Sequence, residues 1–249
     1  MSSDPLASNS GKKARHESTQ PPRHLLLKHY LTHPHQLLRF LMMQRVHGFE
    51  APIEPHLDDA ARALFADLLS ACTVFLEFGS GGSTRLADRF GKKTLTVESD
   101  RFFARTVRGL LKPSSSVTIL DVDIGLTGPW SNPIFDWPTA RRLKRWSQYV
   151  RKPFDVLETE GWFPDFVFVD GRFRRACALQ TARSTLAKER SVKLLFDDYF
   201  SDGRAHYHSV EHWLGRPERV GRAALFAVDA QHSQTPSVGD IDDAVSDYR

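Results

Sequence analysis

The stretch VFLEFGSGGSTRLADRF, residues 74–90, passes from an apolar run to a glycine-rich turn and then to apolar residues at helical spacing. The apolar run contains one acid, Glu77, and the turn that follows consists of Gly79, Ser80, Gly81 and Gly82. Glycines permit a tight turn in which backbone N–H groups approach a ligand, and the next helix directs the positive end of its dipole toward it. This stretch therefore predicts a strand, a ligand-binding turn and a helix.

Similar strand-like and helix-like segments alternate along the rest of the chain. The strand-like segments are KTLTVES, SVTILDVDI, DFVFVDG, VKLLFDDYF and AALFAVD, and amphipathic segments separate most of them. Strands that are apolar on both faces and are joined by helices indicate a parallel sheet that is covered on both sides. We predict an α/β fold with a doubly wound, mostly parallel, Rossmann-like sheet, in which ligands bind at the carboxyl ends of the strands.

The composition of the chain suggests one domain between two tails. Residues 24–229 form the predicted domain, with helices in 24–71, and the polar segments 1–23 and 230–249 are predicted to be disordered. Residues 124–163 interrupt the strand pattern and hold four of the five tryptophans. An interruption of this length is uncommon unless it is functional, so we interpret it as a lid over an anionic or carbohydrate-like substrate. A solvated basic face above an ordinary core stripe is the alternative.

Charge and cysteine content exclude several classes of protein. The net charge of +4 among 249 residues is too small to indicate a dedicated nucleic-acid-binding protein. Cys72 and Cys177 lie far apart, which indicates neither a disulfide framework nor a zinc site. No apolar run approaches the ~20 residues that span a bilayer. We predict a cytoplasmic protein without a membrane span and leave homo-oligomerisation open.

The residues around the turn distinguish between nucleotide ligands. A P-loop requires Gly-Lys-Ser/Thr, and the turn GSGGSTR has no lysine. The dinucleotide fingerprint would place a third glycine at Thr84, and Glu77 would repel a pyrophosphate. Glu98 ends the second strand, roughly 20 residues further on, where an acid accepts both ribose hydroxyls of an adenosine cofactor. The turn therefore suits an adenosine cofactor that carries a cation.

The segment EFGSG resembles the first motif of class I S-adenosylmethionine-dependent methyltransferases, whose cofactor carries an ammonium and a sulfonium. The resemblance implies that Glu77 binds the ammonium beside the turn residues Gly79, Ser80, Gly81 and Gly82, and that Glu98 binds the ribose. Asp123, in ILDVDIG, resembles the acid that meets the adenine amino group, with Asp121 as the alternative. Only one strand, AALFAV, can be recognised after the fifth strand. The sequence therefore shows six strands, one fewer than the seven-stranded sheet of this family.

Three acids follow the fourth and fifth strands, at the edge where the cofactor turn lies. Asp170, Asp197 and Asp198 would repel one another there unless a metal ion, a proton or a basic group intervened. The arrangement resembles catechol-type O-methyltransferases, which hold Mg²⁺ with an Asp and an Asp-Asn pair. Asp170 and Asp197 match those positions, and Asp198 stands where that family has Asn. The resemblance implies Mg²⁺ as a second cofactor.

Basic side chains near these acids are candidates for substrate contact and proton transfer. The segment VDGRFRRACAL is similar to one in a little-characterised group of bacterial methyltransferase-like proteins, a similarity that spans roughly residues 73–214. Arg172 and Arg174 are predicted to bind a carboxylate, phosphate or uronate of the substrate, or else to pair with Asp170. His206 and His208 are candidate general bases, or else surface or packing residues.

These residues together predict an S-adenosylmethionine-dependent O-methyltransferase that acts on a polar small molecule or saccharide. Asp170 and Asp197 or Asp198 would orient or deprotonate the acceptor. A methyltransferase fold that only binds ligands is the first alternative. A nicotinamide-dependent oxidoreductase is the second, because Glu98 suits NAD as well.

Overall fold

A computed structural model describes residues 25–247 of the chain, and the predicted N-terminal tail lies outside them. The helices are α1 Leu25–Thr32, α2 Pro34–Met42, α3 Asp59–Ala71, α4 Gly82–Arg89, α5 Arg101–Gly109, α6 Ala140–Thr159, α7 Arg174–Ala187, α8 Glu211–Leu214 and α9 Val238–Val245. The strands are β1 Val74–Phe78, β2 Lys93–Glu98, β3 Val117–Asp121, β4 Phe166–Val169, β5 Val192–Phe196, β6 Glu218–Val220 and β7 Ala223–Val228. Single helical turns occupy Met43–His47, Pro129–Ser131 and Ala205–Val210.

The strands form one seven-stranded sheet in the order β3-β2-β1-β4-β5-β7-β6. Strands β1 to β5 are parallel, whereas β7 runs antiparallel to both β5 and β6. The predicted doubly wound α/β fold is therefore confirmed. Strand β6, which sequence reasoning missed, has three residues with exposed or half-buried side chains, so it carries no apolar run to recognise.

Apolar side chains cover both faces of the sheet because successive residues of a strand point to opposite sides. In β4, Phe166 and Phe168 pack with α3 and α4, whereas Val167 and Val169 pack with α6, α7 and α9. A smaller cluster joins α5 to β3 through Val107 and Ile119. This two-sided core explains why the parallel strands are nearly continuous apolar runs.

The predicted insertion at residues 124–163 divides into a loop and a core helix. Helix α6 buries Trp146, Tyr149, Val150 and Leu157 against the sheet, as a crossover helix between β3 and β4 does. Its arginines lie on the opposite, more exposed side. The lid interpretation is therefore wrong for α6 and remains a hypothesis for the loop that precedes it.

The predicted disorder of residues 230–249 is wrong for most of that segment. Helix α9 begins after Ser237, whose hydroxyl accepts the N–H of Asp240 while the Asp240 carboxylate accepts from Ser237. Ile241, Ala244 and Val245 are buried against the helical layer. Three apolar residues at helical spacing are enough to bury one face, although the segment as a whole is polar.

No helix among residues 25–247 is both long and apolar enough to cross a bilayer. The two cysteines are free and buried, which agrees with the predicted absence of a disulfide between them. Burial raises the pKa of the Cys177 thiol well above its usual value and that of Cys72 to about 11. Both thiols therefore stay protonated at neutral pH and serve as packing residues.

Candidate active site

The glycine turn joins β1 to α4 and lies against the end of β4. Gly79 has a φ of +101°, and a Cβ there would lie 2.9 Å from the Cα of Gly171. A Cβ on Gly171 would collide with the hydroxyl of Tyr149 and lie 2.9 Å from the carbonyl carbon of Phe78. The two glycines therefore let β1 and β4 approach closely at the carboxyl edge, so that Asp170 follows directly beside the turn.

Glu77 lies fully buried beneath this turn. Its Oε2 accepts a hydrogen bond of 2.6 Å from Thr84 Oγ1, which in turn accepts the N–H of Gly81. Within the described part of the chain no donor is in hydrogen-bonding geometry with its Oε1. Burial raises the pKa of Glu77 to about 7, although the nearby hydroxyls of Ser83, Thr84 and Thr96 oppose the rise. A cationic ligand group beside Oε1 would stabilise the ionised carboxylate.

Glu98 connects the end of β2 to the glycine turn. Its Oε2 accepts from the N–H and hydroxyl of Ser80, at 3.1 and 2.7 Å. Its Oε1 accepts from the backbone N–H groups of Ser99 and Asp100, at 2.7 and 2.9 Å. Burial raises the pKa of Glu98, and these donors oppose the rise. The carboxylate is thus held in one orientation beside the glycine turn.

The loop between β3 and α6 passes over Glu98. The Ser131 hydroxyl donates to Glu98 Oε1 at 3.3 Å, and both Trp130 and Ser131 have left-handed backbone conformations, with φ of 60° and 55°. Non-glycine residues adopt this conformation at a cost, so contacts of the loop must hold the turn. Asn132 provides one such contact, since its side-chain oxygen accepts from Arg172 at 2.6 Å.

The two aspartates predicted for the adenine lie at the outer end of β3. Asp123 accepts the N–H of Gly125 and is 3.5 Å from Arg145, and most of its side chain is exposed. Asp121 is 3.5 Å from Arg108. The structure places Asp123 beyond the strand end, as predicted, but gives its carboxylate two neighbours within the protein.

The three acids after β4 and β5 converge as the sequence predicts. One carboxylate oxygen from each of Asp170, Asp197 and Asp198 lies within 4.8 Å of the others. Burial raises the pKa of Asp170 well above its usual value, and the charge of Asp197 adds to the rise. Burial alone would also raise the pKa of Asp198, but the guanidinium groups of Arg174 and Arg222 outweigh it and hold that pKa below its usual range.

Two arginines neutralise this cluster and take the place that a metal ion would need. Arg222 donates to both oxygens of Asp197, at 3.0 and 3.1 Å, and lies 3.1 Å from Asp198 Oδ1. Arg174 contacts Asp170 Oδ1 at 2.7 Å and Asp198 Oδ2 at 3.3 Å. Guanidinium groups on five of the six carboxylate oxygens leave no set of free oxygens for Mg²⁺, which prefers about six oxygen ligands. The predicted magnesium site does not fit this geometry.

Arg174 pairs with Asp170, the alternative that the sequence left open for it. All five of its N–H groups have acceptors, namely Asp170 Oδ1, Asp198 Oδ2 and the carbonyl oxygens of Asp170, Gly171 and Asp197. Arg172 differs, because Asn132 is the one hydrogen-bond acceptor that its side chain has among the described residues. Of the two predicted substrate-binding arginines, Arg172 keeps donors available.

The two histidines lie on the helical turn that follows β5. His208 is exposed and stacks on the ring of Tyr199, with ring centroids 5.0 Å apart. His206 is half-buried beside Tyr207, at 4.3 Å between ring centroids. Their role as bases stays a prediction.

Arg222 is the site residue that sequence reasoning missed. It belongs to the tight turn between β6 and β7, and its backbone N–H donates to Asp58, the residue that caps α3. Its guanidinium also donates to the carbonyl of His56. The missed β6–β7 hairpin is what brings Arg222 to the carboxyl edge, so no local pattern around it could have indicated the contact.

A cavity of about 320 Å³ lies between the β3–α6 loop and the first turns of α6. Its lining combines apolar and cationic side chains: Ile124, Leu126, Phe135, Arg141, Arg142 and Arg145. Arg142 lies over the ring of Trp137, 4.1 Å from its centroid, which restricts its side chain. The cavity therefore has a positively charged lining, in which Arg142 is held in place.

Comparison with known proteins identifies the family. No protein-family model matches the chain, and no curated protein does so either. A methyltransferase-like protein from Silicibacter pomeroyi is 35% identical, with a TM-score of 0.65, over 80% of this chain and 100% of that one.

Two further solved structures are more distant. A 16S rRNA methyltransferase from T. thermophilus is 15% identical, with a TM-score of 0.35, over 72% of this chain and 42% of that one. A predicted O-methyltransferase from Agrobacterium tumefaciens is 15% identical, with a TM-score of 0.31, over 74% of this chain and 97% of that one. The identity to the Silicibacter protein and its complete coverage carry the assignment: the chain belongs to the class I methyltransferase-like family.

Proposed function

We propose that this protein transfers a methyl group from S-adenosylmethionine to an oxygen atom of a polar acceptor. The observation that carries the proposal is Asp170, a partly exposed carboxylate with a raised pKa directly beside the glycine turn. Its Oδ2 has no hydrogen-bond partner in the described part of the chain, unlike the oxygens of Asp197 and Asp198. Asp170 is therefore the acid available to an acceptor.

The residues of the turn fit the cofactor. Glu77 would bind the ammonium group through Oε1, which has no donor among residues 25–247. Gly79, Ser80, Gly81 and Gly82 would form the backbone cradle. Glu98 would bind the ribose, where a ribose hydroxyl would replace the 3.3 Å contact from Ser131. Asp123 would lie toward the adenine. The bound cofactor supplies an electrophilic methyl group on a positively charged sulfur.

Asp170 would act as the general base. It would accept the proton of the acceptor hydroxyl at Oδ2, which would leave that oxygen nucleophilic toward the methyl group that the cofactor supplies. A base is most effective when its pKa lies near the working pH, and burial moves the pKa of Asp170 in that direction. Arg174 would keep the carboxylate oriented through Oδ1, so that an acceptor bound to Oδ2 is held in one position.

Cationic groups at the site and in the cavity support an acceptor that carries negative charge. Arg172 keeps free donors beside Asp170, and the cavity at α6 carries Arg141, Arg142 and Arg145. The cavity adjoins β3, three strand spacings from β4, which is about 14 Å at ~4.8 Å per strand. An extended acceptor with an anionic part, such as an acidic or phosphorylated sugar, would reach both.

Two other functions, an oxidoreductase and a protein that only binds ligands, can be distinguished from methyl transfer by experiment. A nicotinamide-dependent oxidoreductase would use Glu98 for the ribose, but Glu77 would lie buried next to the pyrophosphate and repel it. A fold that only binds ligands would bind the acceptor without turnover. Transfer of a labelled methyl group separates both from the proposed reaction.

Methyl transfer from labelled S-adenosylmethionine to a panel of neutral, acidic and phosphorylated sugars tests the proposal. We expect turnover in the wild type and a loss of about 10²–10⁴-fold in Asp170→Asn, the range for removal of a general base. Asp155→Asn, on the exposed side of α6, is the matched control and should retain activity.

Calorimetry with the cofactor supports the interpretation of that assay. Asp170→Asn should bind the cofactor as the wild type does, since Glu77 and Glu98 are intact. Because arginines take the carboxylate oxygens that a metal would need, activity should persist in EDTA. A wild-type protein that binds neither the cofactor nor its demethylated product would overturn the proposal.

A further inference from the structure

The N-terminal helices expose apolar side chains on the side that faces away from the domain. Helix α2 has no buried residue, and its Leu38 and Met42 are exposed together with Val46, at successive i, i+4 positions. Leu31, at the end of α1, is also exposed. Together Leu31, Leu38, Met42 and Val46 form what we call the N-terminal face. Amphipathic helices usually bury such a row, and no described part of this chain covers it.

The stretch of sequence that carries the N-terminal face is basic, and its nearest acid is Glu50, which directly follows it. Residues 25–49 contain Lys28, Arg39 and Arg45 but no Asp or Glu. Arg39 and Arg45 lie at exposed positions close in sequence to Leu38 and Met42, and the Arg45 guanidinium lies 5.8 Å from the ring centroid of Phe102. The face therefore combines apolar side chains with unbalanced positive charge.

The opposite side of these helices is attached to the domain next to the candidate active site. Gln44 is buried and donates to Asp100 at 2.5 Å, at the beginning of α5. The Tyr30 hydroxyl lies close to Gly128 of the β3–α6 loop. The rings of Phe49 and Phe103 pack edge to face, with their centroids 5.6 Å apart. The face is thus held in a defined orientation beside the loop that passes over Glu98.

We propose that the N-terminal face docks on the surface of a lipid bilayer that contains anionic lipids. An amphipathic helix with a basic polar side lies in the plane of such a surface, with its apolar side chains below the headgroups and its basic side chains among them. Leu38, Met42 and Val46 would enter the interface, and Arg39 and Arg45 would contact the headgroups. Each basic side chain contributes about 1 kcal/mol, roughly fivefold in affinity.

Charge favours a bilayer over a second copy of this chain. In a two-fold symmetric dimer the same patch meets itself, so the three basic residues of one protomer would face those of the other. Residues 25–49 offer no carboxylate to pair with them. An anionic surface satisfies both the apolar row and the charge, whereas the dimer satisfies the apolar row alone.

Co-sedimentation of the full chain with vesicles tests this proposal. We expect binding to phosphatidylcholine vesicles that contain phosphatidylglycerol, little binding to phosphatidylcholine alone, and weaker binding at high salt. The double variant Leu38→Glu/Met42→Glu should lose at least tenfold in affinity, as should Arg39→Glu/Arg45→Glu. Val238→Glu, an exposed apolar residue on α9, makes the same change elsewhere and should bind as the wild type does.

Thermal melting and cofactor binding show whether the variants are still folded. All four substituted residues are exposed, so the thermal melts of the variants should match the wild type, and cofactor binding should be unchanged because Glu77 and Glu98 are intact. Wild-type protein that stays in the supernatant with anionic vesicles would overturn the proposal. Light scattering that shows a dimer which Leu38→Glu/Met42→Glu dissociates would assign the face to a second copy instead.

Discussion

At the scale of single residues, the site depends on carboxylates whose surroundings differ sharply. Glu77 is fully buried, with no cationic partner among residues 25–247, and burial raises its pKa to about 7. Asp170 shares one arginine with Asp198 and keeps one oxygen free, whereas Asp198 touches two arginines. Environment rather than residue type therefore separates an acid that can exchange a proton from one that stays ionised.

The raised pKa of Glu77 makes the stability of the protein depend on pH. The folded state binds the proton more tightly than the unfolded state, whose pKa is near 4.5, so stability falls as pH rises from 4.5 to about 7 and is level above that. At 1.36 kcal/mol per unit, the cost above pH 7 is about 3 kcal/mol. Glu77→Gln should remove this cost and be more stable than the wild type above pH 7.

Urea unfolding of both proteins across this pH range measures the effect. The difference between them in free energy of unfolding should grow between pH 4.5 and about 7. Glu158→Gln, an exposed acid near the end of α6, is the control and should show no such trend. A difference that is constant with pH would contradict the prediction.

At the scale of elements, the close approach of β1 and β4 positions the site. The backbones of Gly79 and Gly171 lie so close together that neither position has room for a Cβ, and the hydroxyl of Tyr149 in α6 lies against Gly171. This contact sets Asp170 beside the glycine turn. In the proposed reaction, the acceptor and the cofactor would therefore bind on either side of this one contact between strands.

Gly171→Ala should therefore destabilise the protein. The new Cβ meets backbone atoms of Phe78 and the hydroxyl of buried Tyr149, and overpacking of this kind costs about 1–3 kcal/mol. Gly109→Ala is the matched control, because a Cβ at this exposed end of α5 meets no atom within 4 Å and Ala is the better helix former. Equal melting temperatures for the two variants would show that the strands can separate without cost.

At the scale of the whole molecule, distant segments complete the domain. Helix α9 packs on α6 and α7, and Arg151 of α6 forms a 2.7 Å ion pair with Asp242. Arg222, from the turn before the antiparallel strand β7, joins Asp197 to Asp58 at the start of α3. The C-terminal segment is thus part of the domain rather than an appendage.

Ile241→Ala should lower the free energy of unfolding by about 2–5 kcal/mol, as expected when a buried Ile is truncated. Its neighbour Val238 is half exposed on the same helix, so Val238→Ala should change stability by less than about 0.5 kcal/mol. Chemical denaturation of both variants provides the comparison. If the two changes are equally small, α9 does not contribute to the cooperative core.

The sequence by itself determined the alternation of strands and helices, the glycine turn with Glu77 and Glu98, and the convergence of Asp170, Asp197 and Asp198. These features follow from local apolar periodicity and from the rule that parallel strands place their carboxyl ends at one edge. Only the tertiary structure decided that Arg174 and Arg222 occupy the acids, that α6 belongs to the core and that α9 packs on it. Such contacts join residues far apart in the chain, so each depends on the completed packing and not on the residues that flank it.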